Sequence, residues 1–192
     1  MNPIQYRNFT IRMIRDEDPM NPRTEYYNVT KMVLFHRRYR LGDKSNYRSG
    51  DFKGWGNLKD VIVRDEKPAI IKPVYMYDHS GITIKTSPFG CPWDSGQIGY
   101  VWITKEMAKK ELGVTRMTKK AAERLDTFLE AGVKAYDNYL TGSIFCWQVV
   151  NQAGDVEESV GGYSQDDFNS GYAIQEAQAC IDRLVSETEE LA

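Results

Sequence analysis

The stretch from Pro73 to Thr104 reads PVYMYDHSGITIKTSPFGCPWDSGQIGYVWIT, and the period of its side chains decides the fold class. Asp78-His79-Ser80-Gly81 is a turn sequence: Asp suits the first position of a type I turn, and Gly suits the left-handed residue of a bulged three-residue hairpin loop. Val74 to Tyr77 and Ile82 to Lys85 are rich in β-branched and aromatic residues, so they read as paired strands with Tyr77 facing Ile82 and Tyr75 facing Ile84. In the TSPFGCPWDSG that follows, Pro88 and Pro92 each fix a φ angle. Phe89 and Trp93 are apolar enough to be expected to dock on the sheet and hold this loop in a compact, bent form. Gln97 to Thr104 then alternates as a third strand, with Ile98, Tyr100 and Trp102 on one face and Gly99, Val101 and Ile103 on the other.

Downstream the apolar period changes from two to 3.6. Thr104 caps a predicted helix over 105–112 that stops at Gly113, and Thr118 caps a longer one ending at Thr141-Gly142. On the longer helix Leu125, Phe128, Leu129, Val133, Tyr136 and Leu140 make one apolar face, and Gly132 permits a close approach of helix to sheet. Ser143 to Val150 reads as a strand, Asn151 to Gly154 as a turn, and Val156 to Tyr163, with its paired glycines, as a bent edge strand. A final helix over about 172–187 buries Ile174, Ala177, Ile181 and Leu184. Upstream, Asn8 to Arg15 alternates as a strand, Met32 to Phe35 forms a buried strand, 41–57 is a long surface loop anchored by Trp55, and Leu58 to Arg64 is a short strand or helical turn. Together these elements predict a single α+β domain over 1–192, its antiparallel sheet built from the two hairpins and covered by the long helix and the C-terminal helix.

At 192 residues, 41% hydrophobic and 27% charged, the chain can bury a core without staples and has the composition of a soluble globular protein. No apolar run is long enough to span a bilayer, and MNPIQYRNF lacks a signal peptide's regions, so the expected setting is cytoplasmic. Three widely spaced cysteines argue against a disulfide framework and, with no Cys-x-x-Cys pair, against a zinc site. The net charge of −2 hides an asymmetry: residues 1–72 carry 15 Lys or Arg against 9 Asp or Glu, whereas residues 142–192 carry 1 against 10. Either the two regions pair with each other or they face different partners.

The segments DEDPMNPR (16–23), LFHRRYRLGDK (34–44), YDHSGITIKTSPF (77–89) and CPWDSGQIGY (91–100) resemble those of an uncharacterised family of proteins encoded by phages and other mobile elements. That resemblance implies phage origin and a host-cell cytoplasmic setting, and it supplies no catalytic residues.

Several groups carry possible chemistry. A nucleophilic site would use Cys91 or Ser95 with His79 as base and Asp78 or Asp94 as orienting acid, but no nucleophile elbow surrounds Ser95 and Cys91 precedes a proline. A metal site at Asp16, Glu17 and Asp18 lacks the alternating ligands and closing Glu of a calcium loop, and one from His36, His79, Cys91 and an acid needs three loops to converge. Gly54-x-Gly56 lacks the residues of a phosphate cradle, so neither a metal nor a cofactor is expected. Arg37, Arg38 and Arg40 interleaved with Tyr39 suit direct contact with phosphates and bases. The leading expectation is a non-enzymatic phage protein that binds a host protein or ribonucleoprotein as an inhibitor of nucleic-acid-directed defence, of the anti-CRISPR or antirestriction type. Its contact residues would be Phe89, Trp93, Asp94, Gln97, Arg37, Arg38, Tyr39, Arg40 and Trp55. The alternatives are a small hydrolase-type enzyme using His79, Cys91 and Asp94, and a nucleic-acid binder using Arg37, Arg38 and Arg40.

Overall fold

The alternating stretch at 97–104 becomes one of the two inner strands of a four-stranded sheet in a computed structural model that describes residues 2–190, the side chains of Glu189 and Glu190 excepted. The strands are β3 (Lys31–Leu34), β4 (Pro68–Asp78), β5 (Ile82–Lys85) and β6 (Ser95–Thr104), in the antiparallel order β3-β6-β4-β5. β6 is covered on both faces, which explains its unbroken apolar run. On one face Tyr100 and Trp102 meet Leu58 and Ile62 of α1 (Trp55–Glu66). On the other, Val101 and Ile103 meet the buried stripe Leu125, Leu129, Val133 and Tyr136 of α3 (Lys119–Leu140), with α2 (Lys105–Leu112) beside it.

The helix caps match the sequence reading. The Thr104 hydroxyl accepts a hydrogen bond from the Met107 N–H at 3.2 Å, and Thr118 does the same for Ala121 at 3.2 Å. Gly113 takes the left-handed conformation that ends α2, at φ 63°. Gly132 does mark a close approach, but to the Thr30 side chain ahead of β3: an added Cβ would lie 3.2 Å from its hydroxyl.

Two expectations about strand faces are corrected. The β4–β5 register is one residue away from that expected: Met76 faces Ile84 and Tyr77 faces Thr83, because this pairing sends the buried Met76 and Ile84 together into the α3-side core. The left-handed turn residue is Ser80, at φ 58°. Ile98 also leaves the face assigned to it, since Gly99 pairs with Val74 and Gln97 with Tyr75, so Ile98 is the unpaired residue of a bulge and packs with Val101 and Ile103. The helix at 55–66 replaces the short strand or turn expected over 58–64, and the loop ahead of it holds one 3₁₀ turn, Ser49–Asp51.

The chain divides into two compact units, residues 21–141 as just described and a second formed by 1–20 with 142–192. The second holds β1 (Ile4–Tyr6), β2 (Phe9–Arg15), β7 (Ile144–Val150) and β8 (Val156–Ser164), antiparallel in the order β1-β2-β7-β8. Both hairpins therefore form, but in separate sheets: β7 takes its second neighbour from the N-terminal strand β2, where Met13 faces Trp147 and Ile11 faces Val149. The helix α5 (Tyr172–Glu190) covers this sheet with Ala173, Ala177, Cys180 and Ile181, while Ile174 and Leu184 are only half-buried. The short α4 (Gln165–Asn169) begins with a capping box between Ser164 and Asp167. The α+β class, the long helix and the C-terminal helix are thus as expected. No helix among the described residues is long and apolar enough to cross a membrane.

Candidate functional site

Antiparallel pairing brings three chain segments to one end of the 21–141 sheet: the residues after β3, the tip of the β4–β5 hairpin, and the loop entering β6. Both histidines lie there. Asp78, the last residue of β4, receives the Arg38 guanidinium on its carboxylate, and His36 Nε2 lies 4.0 Å from the same oxygen. His36 Nδ1 accepts the Arg38 backbone N–H at 3.3 Å, which requires the neutral ring with its proton on Nε2, toward Asp78. Burial lowers the His36 pKa below its ordinary value; Asp78 opposes that shift, and Arg38 and Arg37 add to it. Tyr39 stacks on the His36 ring at 4.9 Å, and the Arg38 guanidinium lies 5.4 Å from the Tyr39 centroid.

One residue on, His79 Nδ1 is 3.3 Å from Asp94 Oδ2, and the Cys91 thiol donates to that same oxygen at 3.8 Å. The structure therefore does bring His79, Cys91 and Asp94 together. The carboxylate stands between thiol and imidazole, so the thiol's hydrogen bond goes to the acid and not to the base, the reverse of the order that activates a nucleophile. His79 is 64% exposed. Ser95, the other candidate nucleophile, turns its hydroxyl back onto the Cys91 carbonyl.

These bonds cross-tie the loop. Its first residue, Thr86, donates to Glu130 of α3 at 2.6 Å, the Asp78 N–H bonds the Asp94 carbonyl at 2.9 Å, and Phe89 packs beside Tyr77 at 5.7 Å under the Lys85 ammonium. Phe89 is thereby half-docked, as expected. Trp93 is not: it is 92% exposed, a correction to the expectation that it would lie on the sheet. The residues on either side of it are tied down by the Cys91–Asp94, Ser95–Cys91 and His79–Asp94 contacts. Gln97 donates to the nearby Gly99 carbonyl at 3.2 Å, a contact within its own strand.

Next to this sheet end lies an open cleft of about 820 Å³. One wall is aromatic: Phe35 stacks near-parallel with Trp55 and Phe52, each at 6.3 Å, and Tyr47 packs on Phe52 at 6.0 Å. All four rings are half-buried, so Trp55 does anchor the far end of the loop. Arg37, Arg40 and Lys44 also line the cleft and form no ion pair among the described residues. Arg38 is occupied by Asp78 and is absent from the lining, so the basic cluster divides by role.

One of the lining residues, Asp43, is held by a group with no local signal in the sequence. Arg23 is buried and directs its five guanidinium N–H groups to Asp43, twice, to Asn28, and to the hydroxyl and carbonyl of Thr30, all at 2.8–2.9 Å. Asp43 in turn accepts the Met32 N–H at 2.7 Å. The pair ties Arg23, the residues 28–30 and Asp43 to the start of β3. An arginine that follows Pro22 and an aspartate 20 residues later carry no local signal of pairing.

Asp16, in the acidic run considered for a cation, accepts the backbone N–H groups of Asp18 and Gly162, each at 3.2 Å. Among the described residues no group of three or more His, Cys, Asp or Glu is placed to hold a metal ion. Comparison with protein-family models, curated proteins and solved structures finds no match to this chain.

Proposed function

We propose that this is a phage-encoded, non-enzymatic binding protein that acts in the host cytoplasm on a host protein or ribonucleoprotein, as an inhibitor of nucleic-acid-directed defence of the anti-CRISPR or antirestriction type. The observation that supports binding is Trp93, 92% exposed on a cross-tied loop. A large apolar ring displayed by a loop already held in place loses little conformational freedom on docking, which is the property of an interface anchor. The phage setting and the choice of target rest on the resemblance of 16–23, 34–44, 77–89 and 91–100 to mobile-element proteins.

The test is capture of the host partner by the tagged chain, followed by titration with the purified partner. Trp93→Ala should weaken binding by about 2–4 kcal/mol, the loss seen at interface anchors. Unchanged affinity in this variant would remove Trp93 from the contact.

The gathering of His79 and Cys91 on Asp94 favours a second reading, a small hydrolase-type enzyme at that loop. It requires the thiol to turn from the carboxylate to the imidazole when substrate binds. An ester-hydrolysis assay that detects turnover in the native chain and none in His79→Ala or Cys91→Ala, with folding intact, would establish it over the binding reading.

A further inference from the structure

We infer that the cleft beside β3 is a binding site for a nucleotide, a planar base carrying a phosphate, whether free or at an exposed position of a single strand. Its volume of about 820 Å³ falls within the range of small-ligand sites, roughly 300–1,000 Å³. Two kinds of lining coincide in it. The half-buried rings of Phe35, Phe52, Trp55 and Tyr47 offer apolar surface to a flat ligand, which stacks on aromatic rings with little regard to which base it is. Arg37, Arg40 and Lys44 supply unpaired positive charge at the same cleft, and guanidinium groups bind phosphate oxygens in pairs.

The acid side of the ledger decides the sign. Asp43 is the only carboxylate among the lining residues, and its charge is met by the buried Arg23 at 2.8 Å on both oxygens. The cleft is therefore cationic toward anything that enters. A neutral aromatic ligand would leave the three cations unused, and inorganic phosphate would leave the rings unused; a nucleotide uses both. Arg37, Tyr39, Arg40 and Trp55, expected from the sequence as protein contacts, line this cleft, whereas Trp93 does not, so loss of nucleotide binding and loss of the Trp93 contact are read out by different variants.

Calorimetric titration of the full chain with adenosine monophosphate, uridine monophosphate, adenosine, inorganic phosphate and a short oligouridylate tests the inference. Nucleotide or oligonucleotide should bind at least about tenfold tighter than either adenosine or phosphate alone, since each of those makes half of the contacts. The Arg37→Ala/Arg40→Ala double variant should lose about tenfold or more, and Phe52→Leu should weaken binding while keeping the wall apolar. Lys109→Ala, on the exposed side of α2, serves as the control for general charge. Binding of the monophosphates identifies a free nucleotide; binding of the oligonucleotide alone, weakening steeply with salt, identifies a single strand. Absence of binding by every probe at about 1 mM, affinity unchanged in the double variant, or phosphate binding as tightly as nucleotide would each overturn it.

Discussion

Arg23 shows what a single side chain can hold when every donor has a partner. Its carboxylate partner Asp43 also fixes the Met32 N–H, so Arg23→Ala would leave a partly buried charge and the start of β3 without support. The expected loss is about 3–5 kcal/mol in chemical denaturation, the cost of breaking a buried pair from one side. His36 gives a pH dependence. Because burial holds its pKa below the ordinary value, the unfolded chain takes up the proton more readily than the folded one. Its contribution to stability is therefore complete above the ordinary imidazole value, about 6.5, and is lost as pH falls from there through the lowered folded value. His36→Asn, which keeps an acceptor for the Arg38 N–H, should flatten that decline when denaturation midpoints at neutral and mildly acidic pH are compared. Among single residues the sequence exposed the chemistry but not the company: Cys91, Asp94 and His79 could be nominated because they lie within one short stretch, whereas Arg23 and Asp43 meet only through the fold. Hydrophobicity alone would put the Trp93 indole inside, whereas the fold leaves it 92% exposed.

Between elements, β3 and β6 leave no room for a side chain at Gly99. An added Cβ at Gly99 would lie 1.9 Å from the Val33 carbonyl oxygen, and backbone cannot retreat there without breaking the ladder. Gly99→Ala should cost at least about 2 kcal/mol through overpacking, and hydrogen exchange should show the loss first in β3. α3 holds the edge strand β5 differently, through Asp137, which accepts from Thr83 Oγ1 at 2.7 Å and from the Ile84 N–H at 2.8 Å. Asp137→Ala should destabilise by about 1–3 kcal/mol by leaving that amide without its acceptor. Helix ends were legible from sequence because a cap is a local event, a Thr hydroxyl three residues from the amide it serves. Strand registers were not, since the slip at β4–β5 and the bulge at Ile98 are settled by which residues reach the α3 core, a condition set by residues some 25 or more positions away.

At the scale of the molecule, the two units differ in how the chain supplies them. Residues 21–141 are continuous, whereas the other unit needs both 1–20 and 142–192. A fragment of 21–141 should retain its circular dichroism and cooperative unfolding, while a chain truncated after Thr141 should lose protection in 4–15, because β2 then lacks β7 and Ile11 lacks Trp147 and Val149. The sequence pattern announced both hairpins and both covering helices, yet it put the strands in one sheet, since alternation says which side a residue faces and nothing about which distant strand lies next to it. The interrupted unit has a consequence in time. As the chain leaves the ribosome, β1 and β2 emerge first but can only be completed by the last strands made, so the apolar face at Ile11 stays open throughout synthesis of the inserted unit, and nascent chains stalled before β7 are where chaperone dependence would be concentrated.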